Sequence, residues 1–240
     1  MGFLKSLNKR WQLFHLQWQV FRLRRQSPTK RIISFWERDG VNFNYYEIAE
    51  NEKWTNPFWT EGSLFYTLFQ QLQPNEILEI ACGSGRHAAR IINRVNHLWL
   101  LDTSKGALEL AKERFRDFTN ITYLHSDDGM GIRQSMLADE SVTAVFSYDA
   151  MVHFEPDCVK QYLVDSYRVL KPGGKALFHH SNYTKNKGGS FHHNPGWRNY
   201  MSQDLFAAYA QEAGFNVAAS HVLTWAEPDS DCLTLLQKPV

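Results

Sequence analysis

Short apolar runs alternate with longer mixed stretches through most of this chain. The runs Ile77–Ala81, Leu98–Asp102, Ile121–His125, Thr143–Tyr148 and Lys175–His180 have the length of buried strands. Glu61–Gln71, a stretch opening at His87, Lys105–Phe118, Asp157–Leu170 and Gln203–Ala213 read as the helices around them. Such alternation predicts short parallel strands joined by helical crossovers, an α/β unit. Ser202 has the side chain of an N-cap, and Gly214 has the backbone freedom to end the last helix. Beyond it, Val217–Thr224 and Cys232–Gln237 are separated only by Trp225–Asp231. That is too short for a helical crossover, so these two strands are expected to form an antiparallel hairpin.

A different period governs the start of the chain. Leu4, Leu7, Trp11, Phe14, Trp18 and Phe21 recur at steps of three and four, along one face of a helix that Ser27-Pro28-Thr29 ends. Charge changes this picture. The net charge is +1, yet residues 1–31 hold eight Lys or Arg and no acid, which leaves eighteen basic against twenty-five acidic residues in the rest. Three uses of residues 1–26 stay open: packing on the domain's own surface, contact with an anionic membrane surface, or an interface with a second copy of the chain. Nucleic-acid binding is not expected, because the stretch carries no recognised module. Residues 35–60 then gather Phe35, Trp36, Phe43, Tyr45, Tyr46, Trp54, Phe58 and Trp59 between polar breaks, which suits a lid over a ligand as well as ordinary packing under a long loop. The chain therefore divides into a helical and aromatic extension, residues 1–60, and a main domain, residues 61–240.

Composition bounds the setting. With 240 residues and 43% hydrophobic content the chain can bury one substantial core. Its three cysteines, Cys82, Cys158 and Cys232, have no C-x-x-C spacing, which argues against a disulfide framework and a structural zinc site. No run approaches the ~20 apolar residues that span a bilayer, and no cleavage site follows a short apolar core. The expectation is a cytoplasmic protein, with peripheral membrane contact left to residues 1–26.

The most informative segment is Ile77-Leu78-Glu79-Ile80-Ala81-Cys82-Gly83-Ser84-Gly85-Arg86-His87-Ala88, a strand, a glycine turn and a helix start. Glycines on either side of Ser84 let the backbone bend sharply and approach a ligand, with the helix N–H groups facing it. The spacing fits the dinucleotide pattern, but a pyrophosphate prefers a neutral or positive cradle, and Glu79 suits a cationic amino group instead. Asp102 ends the next apolar run seventeen residues past Gly85, where an acid at a strand tip grips ribose hydroxyls.

From these residues the chain resembles the class I S-adenosylmethionine-dependent methyltransferases, over roughly residues 60–240. Ile77–Ala88 is similar to the family's first motif, Leu101-Asp102-Thr103-Ser104 to its ribose-binding acid, and Ser126-Asp127-Asp128-Gly129 to the acid beside adenine. Val142–Asp149 resembles the fourth motif, and Arg168-Val169-Leu170-Lys171-Pro172-Gly173-Gly174 the helix-turn-strand signature. The resemblance implies a Rossmann-like seven-stranded, mostly parallel sheet with an antiparallel last strand, flanked by helices. It also implies S-adenosylmethionine as cofactor, held by Glu79, Ala81, Gly83, Gly85, His87, Asp102, Thr103, Ser104, Asp127, Asp128, Gly129 and Ser147. Tyr45, Tyr46 and Trp59 are expected near the cofactor's methionine end or the substrate. Ala81 and Cys82 stand where the family often has Asp or Gly, which makes Cys82 a packing residue rather than a nucleophile.

The acceptor side is read from the fourth and fifth strand ends. A methyl group on a sulfonium is already electrophilic, so the protein has to align a nucleophile and remove its proton. His153, in Met151-Val152-His153-Phe154-Glu155, suits the second task, as does a histidine of the fifth strand. His179 and His180 point to opposite faces, and His180 is the one assigned to the site, with Asn182 on its face. Asp149 reads as a base, a hydroxyl acceptor or the residue that fixes an imidazole tautomer. His192 and His193 match no metal motif, and no metal is expected. Between the fifth strand and the next helix, Trp197 and Arg198 suit a polyhydroxylated acceptor. The run Phe178–Asn182 with Trp197-Arg198 resembles a subgroup that modifies sugars and surface glycans. The activity so implied is O-methylation of a sugar or glycan-precursor hydroxyl. A small-molecule or peptide N-methyltransferase and a non-catalytic cofactor-binding scaffold are its competitors.

Overall fold

The computed structural model describes residues 45–189, 191–225 and 227–240. The basic segment 1–26 and residues 35–44 of the aromatic stretch 35–60 lie outside the described residues.

Seven strands form one sheet: β1 (Glu76–Ile80), β2 (His97–Asp102), β3 (Ile121–His125), β4 (Val142–Ser147), β5 (Leu170–Ser181), β6 (Asn216–Leu223) and β7 (Asp231–Gln237). Their order is β3-β2-β1-β4-β5-β7-β6. β1 to β5 are parallel, whereas β7 runs antiparallel to both β5 and β6, so the reversed strand sits one in from the edge. The short connection 224–230 forces that hairpin. Chain reversal at β1, between β2 and β4, makes the topological switch point at which open α/β sheets bind ligands.

Helices cover both faces. α1 (Tyr45–Ala49), α2 (Glu52–Trp59), α3 (Leu64–Phe69), α4 (Ala88–Ile91) and α5 (Lys105–Arg114) precede α6 (Pro156–Val169) and α7 (Gln203–Glu212). α3 and α5 are shorter than their apolar patterns suggest. Ser63, Ser104 and Ser202 cap α3, α5 and α7 by accepting backbone N–H groups of Tyr66, Ala107 and Leu205. Pro156 opens α6 at a position where its missing N–H costs nothing.

Alternation along the strands sorts the core into two layers. Ile77, Phe146, Leu177 and Leu235 point to one face, where Phe65, Phe69, Ile91 and Phe115 cover them. Leu78, Val145, Phe178 and Leu236 point to the other, against Val159, Tyr162, Leu163 and Phe206. This sorting decides which residues at the strand tips meet the cleft above them.

Candidate functional site

β1 ends at Ile80, and the chain turns through Ala81, Gly83 and Gly85, all at positive φ. Gly85 must be glycine for a packing reason: a Cβ there would lie 2.5 Å from the Phe115 ring. Gly83 is covered by Tyr46 of α1, whose ring would stand 2.9 Å from an added Cβ. The turn is fastened to β2, since Gly83 N–H donates to Asp102 at 2.8 Å and Ser104 N–H donates to its other carboxylate oxygen at 2.8 Å.

Above these tips lies a cleft walled by the turn (Ala81 to Ser84), Arg86, Asp102 and Thr103, with Tyr46 and Ala49 of α1 over it. Gly129, Asp149, His153 and Glu155 close the side toward β3 and β4, and Cys158 and Tyr162 of α6 complete the wall. Arg86 bridges the two sides. Its guanidinium pairs with Asp149 at 2.8 Å and donates to the Ala49 carbonyl at 3.1 Å, which ties α1 to the site. Glu50 adds a second tie, accepting from Ser84 at 3.2 Å and pairing with Arg114.

His153 is buried, and its Nδ1 lies 2.7 Å from the Trp197 carbonyl. A carbonyl only accepts, so Nδ1 carries the hydrogen and Nε2 the lone pair. Burial holds this imidazole below its ordinary pKa and so keeps it neutral at pH 7. Asp102 is shifted up by burial, although backbone N–H groups oppose the shift. Glu79, just behind the turn, is pushed up to about 8 by burial, and one of its oxygens is buried without a partner among the described residues.

The structure brings Tyr46, Ala81, Gly83, Asp102, Thr103, Gly129, Asp149 and His153 together, and it moves other expected residues elsewhere. His180 is corrected most firmly. It shares the α7 face with Phe178, is fully buried and stacks on Phe206 at 3.6 Å, and its nitrogens are bonded to Ser181 O and Thr234 Oγ1. Burial drives its pKa down to about 3, so it is a core residue rather than a base. Arg198 is also removed from the acceptor contacts, because its guanidinium is buried against Asp231 at 2.5 and 2.8 Å. Asn182 pins loops instead, accepting from Gln203 N–H at 2.8 Å and donating to Asp229 O at 2.9 Å.

Several cofactor candidates are likewise scaffold. Ser104 caps α5, Ser147 donates to Ile80 O at 3.0 Å, and Trp59 donates to His87 Nδ1 at 3.0 Å within an aromatic cluster. Asp127 and Asp128 turn toward Arg133 at the surface. Trp197 presents its carbonyl to His153, and its side chain is part exposed, outside the cleft wall. Of Tyr45 only the backbone, in α1, is described. Arg86 was missed although it stands in the first motif. Its signal was a lone cation in a turn otherwise suited to a cationic ligand. Cys158 and Tyr162, four apart on α6, belong to one helix face.

Sheet order, glycine turn and an acid on the second strand define the class I S-adenosylmethionine-dependent methyltransferase fold. Residues 77–174 match a family model described as a methyltransferase domain. Over 60 residues the chain is 37% identical to a protein-L-isoaspartate O-methyltransferase of Saccharophagus degradans, covering 24% of this chain and 27% of the relative. Over 115 residues it is 30% identical to an arsenite methyltransferase of Homo sapiens, covering 42% of this chain and 29% of the relative. The matches thus span under a third of either curated relative's length. A solved S-adenosylmethionine-dependent methyltransferase from Clostridium acetobutylicum superposes with a TM-score of 0.62 at 13% identity, covering 84% of this chain and 100% of that one.

S-adenosylmethionine is the cofactor of this class, and the residues present fit it. Asp102 keeps accepting capacity for a diol beyond its two backbone bonds. The acids Asp102, Asp149 and Glu155 outnumber Arg86 along the wall, a balance that suits a ligand carrying an ammonium and a sulfonium. Glu79 adds a carboxyl oxygen behind the turn that has no partner among the described residues.

A second cavity shares Glu155 with the first. Phe191, Tyr200 and Tyr209 line it with Asp157, Lys187 and Asn199, between the start of α6 and the loop after β5. Among the described residues no helix is long and apolar enough to cross a membrane.

Proposed function

We propose that this chain transfers the methyl group of S-adenosylmethionine to a hydroxyl oxygen of a sugar or glycan precursor, with His153 as the base. The observation that carries this reading is the meeting of Asp102 and the glycine turn with Asp149 and His153 around one cleft. Bound there, the cofactor supplies an electrophilic methyl group. Asp102 would hold the ribose, and Ala81 to Gly83 would line the amino-acid portion. His153, neutral and with its lone pair on Nε2, is set to take the proton of a hydroxyl nucleophile. Asp149, fixed by Arg86, contributes a carboxylate beside it.

The neighbouring cavity supports a polyhydroxylated acceptor. Aromatic rings there would cover C–H faces, and Asp157 and Lys187 offer partners for hydroxyls. Residues 1–26 remain proposed for packing on the domain's own surface, for contact with a membrane surface or for pairing with a second copy of the chain.

Methyl-labelled S-adenosylmethionine incubated with a panel of sugars, nucleotide sugars and amines, read by mass spectrometry, tests the reading. Label on a hydroxyl acceptor, with turnover reduced ~10²–10⁴-fold by His153→Ala, is the expected result. Label on amines alone, with His153→Ala as active as wild type, would establish the N-methyltransferase reading instead.

A further inference from the structure

Beneath the cleft runs a buried polar chain that the proposed chemistry does not use. His179 lies on the β5 face opposite His180 and is fully buried, with its ring stacked on Tyr148 at 4.5 Å. Its Nδ1 accepts the Asp149 backbone N–H at 3.1 Å, and its Nε2 lies 2.8 Å from Asp231 Oδ2. An amide N–H only donates, so Nδ1 must be bare and Nε2 must hold the hydrogen given to Asp231. β5 and β7 register Ser181 opposite Asp231 and His179 opposite Leu233, which places His179 and Asp231 on one face, two residues apart. Arg198 completes the chain with a forked pair to Asp231.

The next residue back does a parallel task. Trp197 offers its carbonyl to His153 Nδ1. It does so from φ +57, a left-handed conformation that a bulky residue adopts only when its surroundings enforce it. Those surroundings are present: Trp197 N–H donates to Asn194 O at 3.0 Å, Asn194 Nδ2 to Arg198 O at 2.7 Å, and Arg198 Nη1 to Gly196 O at 2.6 Å. Asp149 is itself at φ +55, with its N–H turned to His179 and its carboxylate to Arg86.

We infer that the turn Trp197-Arg198 is a positioning device that sets both Asp149 and His153 from the loop after β5: Arg198 acts through Asp231 and His179 on the Asp149 backbone, and Trp197 acts through its carbonyl on the His153 ring. His179, Asp231 and Arg198 are positioning residues. Because Arg86 joins Asp149 to the Ala49 carbonyl, the same chain reaches from that loop to α1 over the cofactor cleft. Arg198 then matters to the cleft without lining it. This inference rests on the cofactor reading of the cleft only for its binding readout.

Two isosteric substitutions separate positioning from simple charge burial. In His179→Asn the amide oxygen takes the place of Nδ1, keeping the bond to Asp149 N–H and losing Asp231. In His179→Gln the amide nitrogen takes the place of Nε2, keeping Asp231 and losing Asp149. The full chain and both variants are compared by calorimetric binding of S-adenosylhomocysteine, by thermal melting, and by side-chain nitrogen NMR of histidine-labelled protein. The device predicts that both variants bind at least ~10-fold more weakly than wild type, because each cuts the chain on one side of His179, whichever of the two melts lower. It also predicts a bare Nδ1 on His179 in the ligand-free wild type. Binding that follows melting temperature across the variants, equal binding by all three, or an Nδ1–H on His179 would overturn it. If wild type binds no S-adenosylhomocysteine, the cofactor reading fails and the NMR arm, which needs no ligand, decides this inference by itself.

Discussion

The β1–β2 end of the site and the β4–β5 end are built on opposite plans. At the first, backbone does most of the work: a glycine turn and two N–H groups hold Asp102, and Glu79 behind them keeps an oxygen without a partner among the described residues. At the second, side chains do it, in a closed network of His179, Asp231, Arg198 and Asn194 in which each polar group meets another. An end left unsatisfied is prepared for a ligand, and an end fully satisfied is prepared to hold its own shape. The first should therefore gain most from binding, and the second should lose most from mutation.

Asp231→Ala is expected to have the largest effect on stability. It leaves the Arg198 guanidinium buried and unpaired, and should cost about 3–5 kcal/mol in urea denaturation. In wild type, burial would raise the Asp231 carboxyl, but the bonds from Arg198 and His179 hold it well below the ordinary carboxylate range. A loss comparable to that of an exposed Asp would break the contrast between the two ends.

Acid comes next. His180 has its folded pKa lowered to about 3, so the unfolded chain binds the extra proton between about pH 6.5 and that value. Stability should fall as pH drops through this window, by up to ~1.4 kcal/mol per pH unit for this residue. Buried His153 and His87 add the same sign. Denaturation at pH 7 and pH 5 checks it, and His180→Gln should flatten the slope.

The cofactor end has the opposite sign at Glu79. With its folded pKa raised to about 8, this group contributes fully below its unfolded value near 4.5 and loses that contribution as pH rises toward 8. Glu79→Gln should then stabilise the ligand-free protein at pH 8 by on the order of 1–3 kcal/mol while weakening cofactor binding. Stability unchanged at pH 8 would show that the carboxylate is not strained there.

The smallest effect is expected at Trp197. Replacement by Gly relieves its left-handed backbone and keeps the carbonyl that holds His153, so S-adenosylmethionine binding should change by no more than about threefold. A large loss would show that the indole, rather than the carbonyl, carries the role of this residue.

How far the sequence reached follows the same division. Strands, helices, the hairpin, the glycine turn and the acid that ends β2 are local patterns, and period, spacing and turn chemistry made them readable. Helix ends were less so, because α5 stops at Arg114 while its apolar pattern runs to Phe118. His180 and Arg198 were assigned to the acceptor, and both proved internal. The choice between His179 and His180 depends on which sheet face each tip residue joins, and adjacent residues with the same side chain give no signal of that register. Arg198 suited an acceptor because its partner, Asp231, is 33 residues away on β7. Where function rests on backbone geometry the motif shows it; where it rests on long-range side-chain pairing, only the folded chain does.

If the cleft over Gly83 and Asp102 takes S-adenosylmethionine, Asp102 must carry a measurable share of the binding. Titration calorimetry of the full chain and Asp102→Ala, with S-adenosylmethionine and no acceptor, tests it most directly. The expected result is one site on wild type and affinity weaker by about 10- to 100-fold in the variant, the loss of a carboxylate that accepts from a diol. Equal affinity in the two proteins, or no binding to wild type, would contradict it.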